Sequence, residues 1–411
     1  MTEPSPAPLM WIDATRPAAG WPLWGMSLVE RLLREGARRG LRHAVVLVGP
    51  ESHPGAASPR SDLHRLHDID VRVEHATDRS QPLAGTEAAS VLVLDGDVVY
   101  DDRVIDHLIL AGPGHVVTGE GAFAACLSAA DLQTFAAATP GDRLAKMADV
   151  DTTRLDELPT YVADLRLTMV PFMVRVADGD DLRRVDRLLF HRTFKGVIDA
   201  VARYGYYHFV RFTTRWLSRT TVSPNLLTVL SILGIWVAIP CFAVGQIGWG
   251  ILSAWIGVIL DSVDGKLARL TVNLSDAMGS LEHAAAMPGL GLWFVALGWH
   301  LSAGQLLSPT PASIACWLLV GTFLADKLLT GGFRKLTGVE LFDARPLDAA
   351  FHLIAARRNI HLLILTVGAA IDSVAGAFDW MAAGMVASFA FHGVRSAWIM
   401  LTGQRRVTTD V

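Results

Sequence analysis

Two carboxylates and two cations stand together in Asp261-Ser262-Val263-Asp264-Gly265-Lys266-Leu267-Ala268-Arg269, at the end of an otherwise apolar segment. On a helix, Asp261, Asp264, Gly265, Ala268 and Arg269 fall on one face, with the carboxylates one turn apart. Such a face can hold a divalent cation. Gly265 and Ala268 remove bulk, so a phosphate or nucleotide could approach the backbone closely. Lys266 and Arg269 offer charge-assisted contacts to phosphate. Ionisable groups at a membrane boundary mark a functional site by default.

The run resembles the signature of the CDP-alcohol phosphotransferases (CDP-alcohol phosphatidyltransferases), D-x-x-D-G-x-x-A-R, eight residues, G, three residues, D, three residues, D. The first half matches in full. Without a gap, Met278 falls at the glycine position, Glu282 at the third aspartate and Ala286 at the fourth. A one-residue insertion restores Gly279 but puts His283 and Met287 at the acidic positions, so the ungapped register is preferred. The resemblance implies a six-helix membrane enzyme that moves a phosphoalcohol or phosphatidyl group from a CDP-alcohol to a hydroxyl acceptor and releases CMP, in phospholipid or related polar lipid biosynthesis. It also implies Mg²⁺ or Mn²⁺ held by Asp261, Asp264 and Glu282, and a homodimer. Nucleotide contacts are expected from Gly265, Lys266, Ala268 and Arg269. The family's fourth aspartate is the expected base, and Ala286 cannot accept a proton. His283 is the nearest titratable substitute, with a capping or interfacial role as its alternative.

The elements that must position this face are legible in the apolar pattern. Hydrophobic residues make up 51% of the 411, high for a soluble chain, and the excess lies after residue 220. Six candidate spans, 225–244, 247–264, 284–301, 311–329, 359–377 and 380–401, each approach the ~20 residues that a crossing requires. Lys and Arg follow the second, fourth and sixth, whereas the other three connections contain none. That alternation predicts six spans in an inner membrane with both termini cytoplasmic, and puts the Asp261 to Arg269 face on the cytoplasmic side. Ser223-Pro224-Asn225 reads as an N-cap followed by a proline at the first helical position. The stretch Val222 to Thr228 also looks like the family's (T/S)-P-N-x-x-T, which would bring Asn225 and Thr228 to the nucleotide.

Between Leu182 and Arg219, arginines alternate with aromatic residues. Single-stranded nucleic acid could bind such a pattern, but next to a span an amphipathic helix on anionic lipid explains it better. The net charge of -4 gives no reason to expect a nucleic-acid partner. Cys126, Cys241 and Cys316 have no paired spacing and read as packing residues. His300, His361 and His392 stand singly and read as packing or hydrogen-bonding residues; Arg358-Asn359 reads as a phosphate contact or, for Arg358, as snorkelling.

The first half has no apolar run of membrane length and no signal-peptide order at its start. Short apolar strands, Ala44 to Val48 and Val91 to Leu94, alternate with helical segments at Ser27 to Arg39 and Arg103 to Leu110, which predicts an α/β layered sheet. Asp97 ends a strand, and Asp149 and Asp151 form a second acidic cluster. These resemble the metal-binding positions of the nucleotidyltransferase fold. The loop from Ile12 to Pro22 carries one glycine, two prolines and Trp21, poor material for wrapping phosphates, so any metal site there is expected to be vestigial. The expected layout is an α/β nucleotidyltransferase-like (Rossmann-like) domain over 1–178, a basic amphipathic segment over 179–222, and an all-α six-transmembrane-helix bundle over 223–411. This order resembles the bifunctional inositol-phosphate cytidylyltransferase/di-inositol phosphate phosphate synthases. Three readings stay open: an active transferase, a catalytically impaired relative that binds nucleotide or lipid or supports a partner enzyme, and a transporter, which the single clustered motif argues against.

Overall fold

The computed structural model describes residues 7–57, 69–75, 89–128, 131–132, 134–135, 150–162, 165, 167–194 and 196–402. The first half is built on a mixed seven-stranded sheet: β1 (Leu9–Ala14), β2 (His43–Val48), β3 (Asp70–His75), β4 (Ser90–Asp95), β5 (His115–Gly119), β6 (Ala122–Ser128) and β7 (Asp151–Arg154). Their order is β7-β5-β6-β4-β1-β2-β3. All neighbouring pairs are parallel except those that β6 makes with β4 and β5. Alternation along β1 separates the two cores. Met10 and Ile12 enter one with Val46 and Leu92, while Leu9 and Trp11 enter the other with Val93 and Phe135. Helices α1 (Leu28–Arg38) and α2 (Asp102–Ala111) are capped by Ser27 and Asp101 respectively.

The segment expected to lie on lipid divides in two. Helix α3 (Gly179–His191) buries Val185, Leu189 and Phe190 with Leu23, Trp24 and Val176 of the α/β half. Its apolar stripe is thus spent on protein. Helix α4 (Tyr207–Leu217) instead leaves Phe209, Phe212 and Trp216 exposed, and keeps the amphipathic character that the sequence predicts.

Among the described residues, five helices are long and apolar enough to cross a membrane: α5 (Pro224–Ala243), α6 (Ile247–Leu270), α7 (Asp276–Leu301), α8 (Pro311–Thr337) and α10 (Val374–Thr402). The expected fifth span is α9 (Arg358–Ala370), of only 13 residues. The chain turns at Asp372, whose φ is 54°, so the structure supports five spans of membrane length instead of six. Helices α5 and α6 cross closely, since a Cβ on Gly234 would lie 2.8 Å from the Gly257 Cα. Small residues allow such backbone contact between membrane helices.

The two halves dock through α1. Arg31 Nη1 donates to the Leu270 carbonyl and Arg34 Nη1 to that of Thr271, both at 2.8 Å. Leu270 also packs with Leu23, Trp24 and Leu28. A Cβ on Gly25 would lie 1.8 Å from the Ser218 carbonyl oxygen. Only glycine lets that turn, with φ 79°, approach so far.

Candidate active site

Helix α6 does not stop where its apolar run ends. It continues to Leu270, which holds Asp261 to Arg269 in one helical register and puts Asp264, Gly265, Ala268 and Arg269 on the wall of a cavity of about 600 Å³. Asn225 and Thr228, from the first turns of α5, line the same cavity, as do Glu282 and His283 from α7. Ser223 sets the start of α5 by accepting the Leu226 N–H at 3.2 Å. Most of the residues that the sequence singles out are therefore brought together.

Asp264 is 3% exposed, and its Oδ2 has no hydrogen-bond partner. Asp261 is ion-paired with Arg358 through Oδ2, while its Oδ1 is buried without a partner. Glu282 stands beside Asp261. Two orphaned carboxylate oxygens one turn apart suit a hard divalent cation, which prefers oxygen ligands. Among the described residues, no three His, Cys, Asp or Glu side chains converge as a ready-made metal site. The expected trio is thus not preassembled, and phosphate or water oxygens would have to complete the shell.

Several expectations need correction. Lys266 is absent from the cavity wall; its ammonium donates to the Ser262 carbonyl at 3.1 Å and lies 4.5 Å from the Phe194 ring centroid. One residue after Gly265, it points off the shared face. Ala286 packs against the bundle core and offers no proton acceptor. His283 is exposed, with Nδ1 4.0 Å from Glu282 Oε1. His392, by contrast, takes the hydrogen-bonding role open to it, with its Nδ1 2.7 Å from Asp326 Oδ1.

The sequence reading misses the brace behind Asp261. Asn359 Nδ2 donates to Asp199 Oδ2 at 2.7 Å and to the Tyr206 hydroxyl at 2.9 Å. This ties the start of α9, and so Arg358, to the chain that precedes the bundle. The basic residue at that helix start is the signal, since it stands directly before an apolar stretch. Also missed is the share of the cavity lining that comes from outside the bundle, with Arg31, Arg38, Tyr100 and Phe172 of the α/β half and Arg192 after α3.

The expected site in the α/β half is not assembled for metal. Asp97 accepts from Arg16 Nη1 at 2.9 Å and from Arg175 Nη1 at 2.8 Å, and Arg175 Nη2 also reaches Asp95. Asp151 begins the edge strand β7 and lies 3.8 Å from His115. Three strand positions separate β7 from β4, about 14 Å at the usual spacing, so Asp151 and Asp97 do not share a site. Asp149 falls outside the described residues.

Residues 221–339 match the family model described as CDP-alcohol phosphatidyltransferase. No curated protein matches the chain. Similar solved structures include the Mycobacterium tuberculosis phosphatidylinositol phosphate synthase with CDP-DAG bound, at 18% identity over 46% of this chain and 94% of that one, with a TM-score of 0.37. The same synthase in complex with manganese and citrate is 18% identical over 46% and 88%, with a TM-score of 0.35. A Bacillus anthracis structure assigned as a glucose-1-phosphate thymidylyltransferase, in complex with a sucrose, is 9% identical over 44% and 95%, with a TM-score of 0.31.

Proposed function

Since the C-terminal half carries a CDP-alcohol phosphatidyltransferase domain at residues 221–339, we propose that the chain is a membrane transferase. It moves a phosphoalcohol or phosphatidyl group from a CDP-alcohol to a hydroxyl acceptor and releases CMP. The observation that carries this reading is the pair of orphaned oxygens on Asp261 and Asp264, of which Asp264 shares the cavity wall with Gly265, Ala268 and Arg269 and Asp261 lies one helical turn before it.

The acceptor oxygen attacks the phosphorus that bears the alcohol, and the bond from that phosphorus to the CMP oxygen breaks, with the electron pair leaving on CMP. Arg269 binds the pyrophosphate and offsets its charge. Gly265 and Ala268 leave room for the nucleotide against α6, and Asn225 and Thr228 position it from α5. The acceptor proton goes to His283, a cavity-lining imidazole that replaces the carboxylate missing at Ala286. Asp261, Asp264 and Glu282 would hold Mg²⁺ or Mn²⁺, which when bound supplies charge neutralisation at the pyrophosphate. The cytosolic side of an inner membrane is the proposed site of reaction, and a homodimer the proposed assembly.

A second reading rests on Ala286, whose side chain packs against the core and can accept no proton: a relative that binds nucleotide or lipid without turnover, or that supports a partner enzyme. CMP release by the detergent-solubilised protein with Mg²⁺ or Mn²⁺, over a panel of CDP-alcohols and acceptors and beside an Asp264→Ala control, separates the two. Release that the control abolishes supports the transferase, whereas CMP binding without release supports the silent relative.

A further inference from the structure

We infer that the α/β domain is a working part of the membrane site, with Arg31 and Arg34 as positioning residues that hold the last turn of α6. This rests on the transferase reading above. The carbonyls of Leu270 and Thr271 belong to the end of α6, where intrahelical partners run out and the helix dipole is negative. Two guanidinium groups from one face of α1 meet those two consecutive carbonyls. Arg34 is 0% exposed and its partner Glu30 1%. An ion pair so deeply buried costs more than an apolar pair of the same size unless its geometry has a use. Here the use is at hand, because the residue before Leu270 is Arg269.

The Arg269 guanidinium lies against the backbone of Gly265, where a Cβ would come within 3.0 Å of Nη2. A shift of the last turn therefore moves Arg269 relative to Asp264 and to any bound pyrophosphate. The same domain supplies part of the cavity lining through Arg38, Tyr100 and Phe172. Meanwhile its own acidic residues, Asp95 and Asp97, are taken by Arg175 and Arg16. The domain acts on the membrane site.

The test uses the full chain in detergent, with Arg34→Met, Arg34→Lys and the double variant Glu30→Gln/Arg34→Met, which leaves no unmatched buried charge. Three readouts are taken: steady-state CMP release, hydrogen exchange of the amides at 267–273, and affinity for CMP with Mn²⁺. In both Met variants kcat falls about 10- to 100-fold with KM for the CDP-alcohol unchanged, as expected for a misplacement on the order of 1 Å. Exchange at 267–273 quickens while the bundle keeps its protection. Arg34→Lys, which can still donate to the Thr271 carbonyl, recovers most of the rate. A double variant that keeps the wild-type kcat and the wild-type exchange at 267–273 overturns the inference. If the wild type releases no CMP at all, the transferase reading fails by itself. Exchange and CMP affinity then decide the positioning role, which is refuted if neither differs between wild type and the double variant.

Discussion

Each half of the molecule holds a pair of neighbouring aspartates, and the pairs differ in what arginine has done to them. In the α/β half, Arg175 spans Asp95 and Asp97, and Arg16 adds a second guanidinium to Asp97. In the bundle, Arg358 takes one oxygen of Asp261 and leaves Oδ1 of Asp261 and Oδ2 of Asp264 without partners. A guanidinium offers fixed donors where a divalent ion would offer charge, so it completes the first pair as structure. The second pair keeps two buried oxygens whose desolvation is uncompensated. The contrast shows that the competence of a carboxylate pair is decided by cations delivered from elsewhere in the fold: the arginines lie 80 and 97 residues away in sequence.

The sharpest way to break this comparison is Asp264→Ala, which should remove CMP release and Mn²⁺ binding together, with an expected rate loss of about 10³-fold or more. Retained turnover would mean that the open oxygens are incidental. Next in size is His283→Ala. Loss of a general base costs about 10²-fold or more in kcat and should remove one limb of the pH–rate profile. A profile of unchanged shape would assign the proton elsewhere. Arg358→Met should weaken Mn²⁺ binding about 10-fold, because a partner that orients a metal ligand is worth that much; calorimetry that finds no change would leave Arg358 as a strut for α9. The smallest effect on activity belongs to Asp97→Ala. CMP release should stay at the wild-type level, while the α/β domain loses about 3 kcal/mol of stability from the broken buried pair. Thermal denaturation measures the second, and any fall in metal-dependent turnover would erase the distinction between the pairs.

Much of this was legible before the structure. The run from Asp261 to Arg269 shows its common face by spacing alone, and Ser223-Pro224 marks the start of α5 to the residue. The strands expected at 44–48 and 91–94 lie inside β2 and β4, and the helices expected at 27–39 and 103–110 coincide with α1 and α2 to within a residue. These are local signals of period and capping. What the sequence hid depends on distant contacts. Nothing near Asp97 announces Arg175, and nothing near Asp261 announces Arg358. The apolar stripe of α3 reads equally well as a lipid-facing or a protein-facing surface, and only its burial against Trp24 decides between them. The expected fifth span failed for another reason. Hydropathy continues to residue 377, but the helix breaks after Ala370, and composition cannot see that turn.

That break sets a mechanical condition on the surrounding lipid. Helix α9 has 13 residues and so is about 20 Å long, roughly 10 Å less than the hydrocarbon thickness of an ordinary bilayer. The helices packed against it, α6 and α10, have 24 and 29 residues. A sheet of acyl chains that meets so short a wall must dip or compress beside it, at a cost of fractions of a kcal/mol per Å. The depression would form beside Arg358, which stands at the first turn of α9 and touches Asp261. A headgroup sinking with the leaflet at that place would descend toward the carboxylates with its tails still among their neighbours.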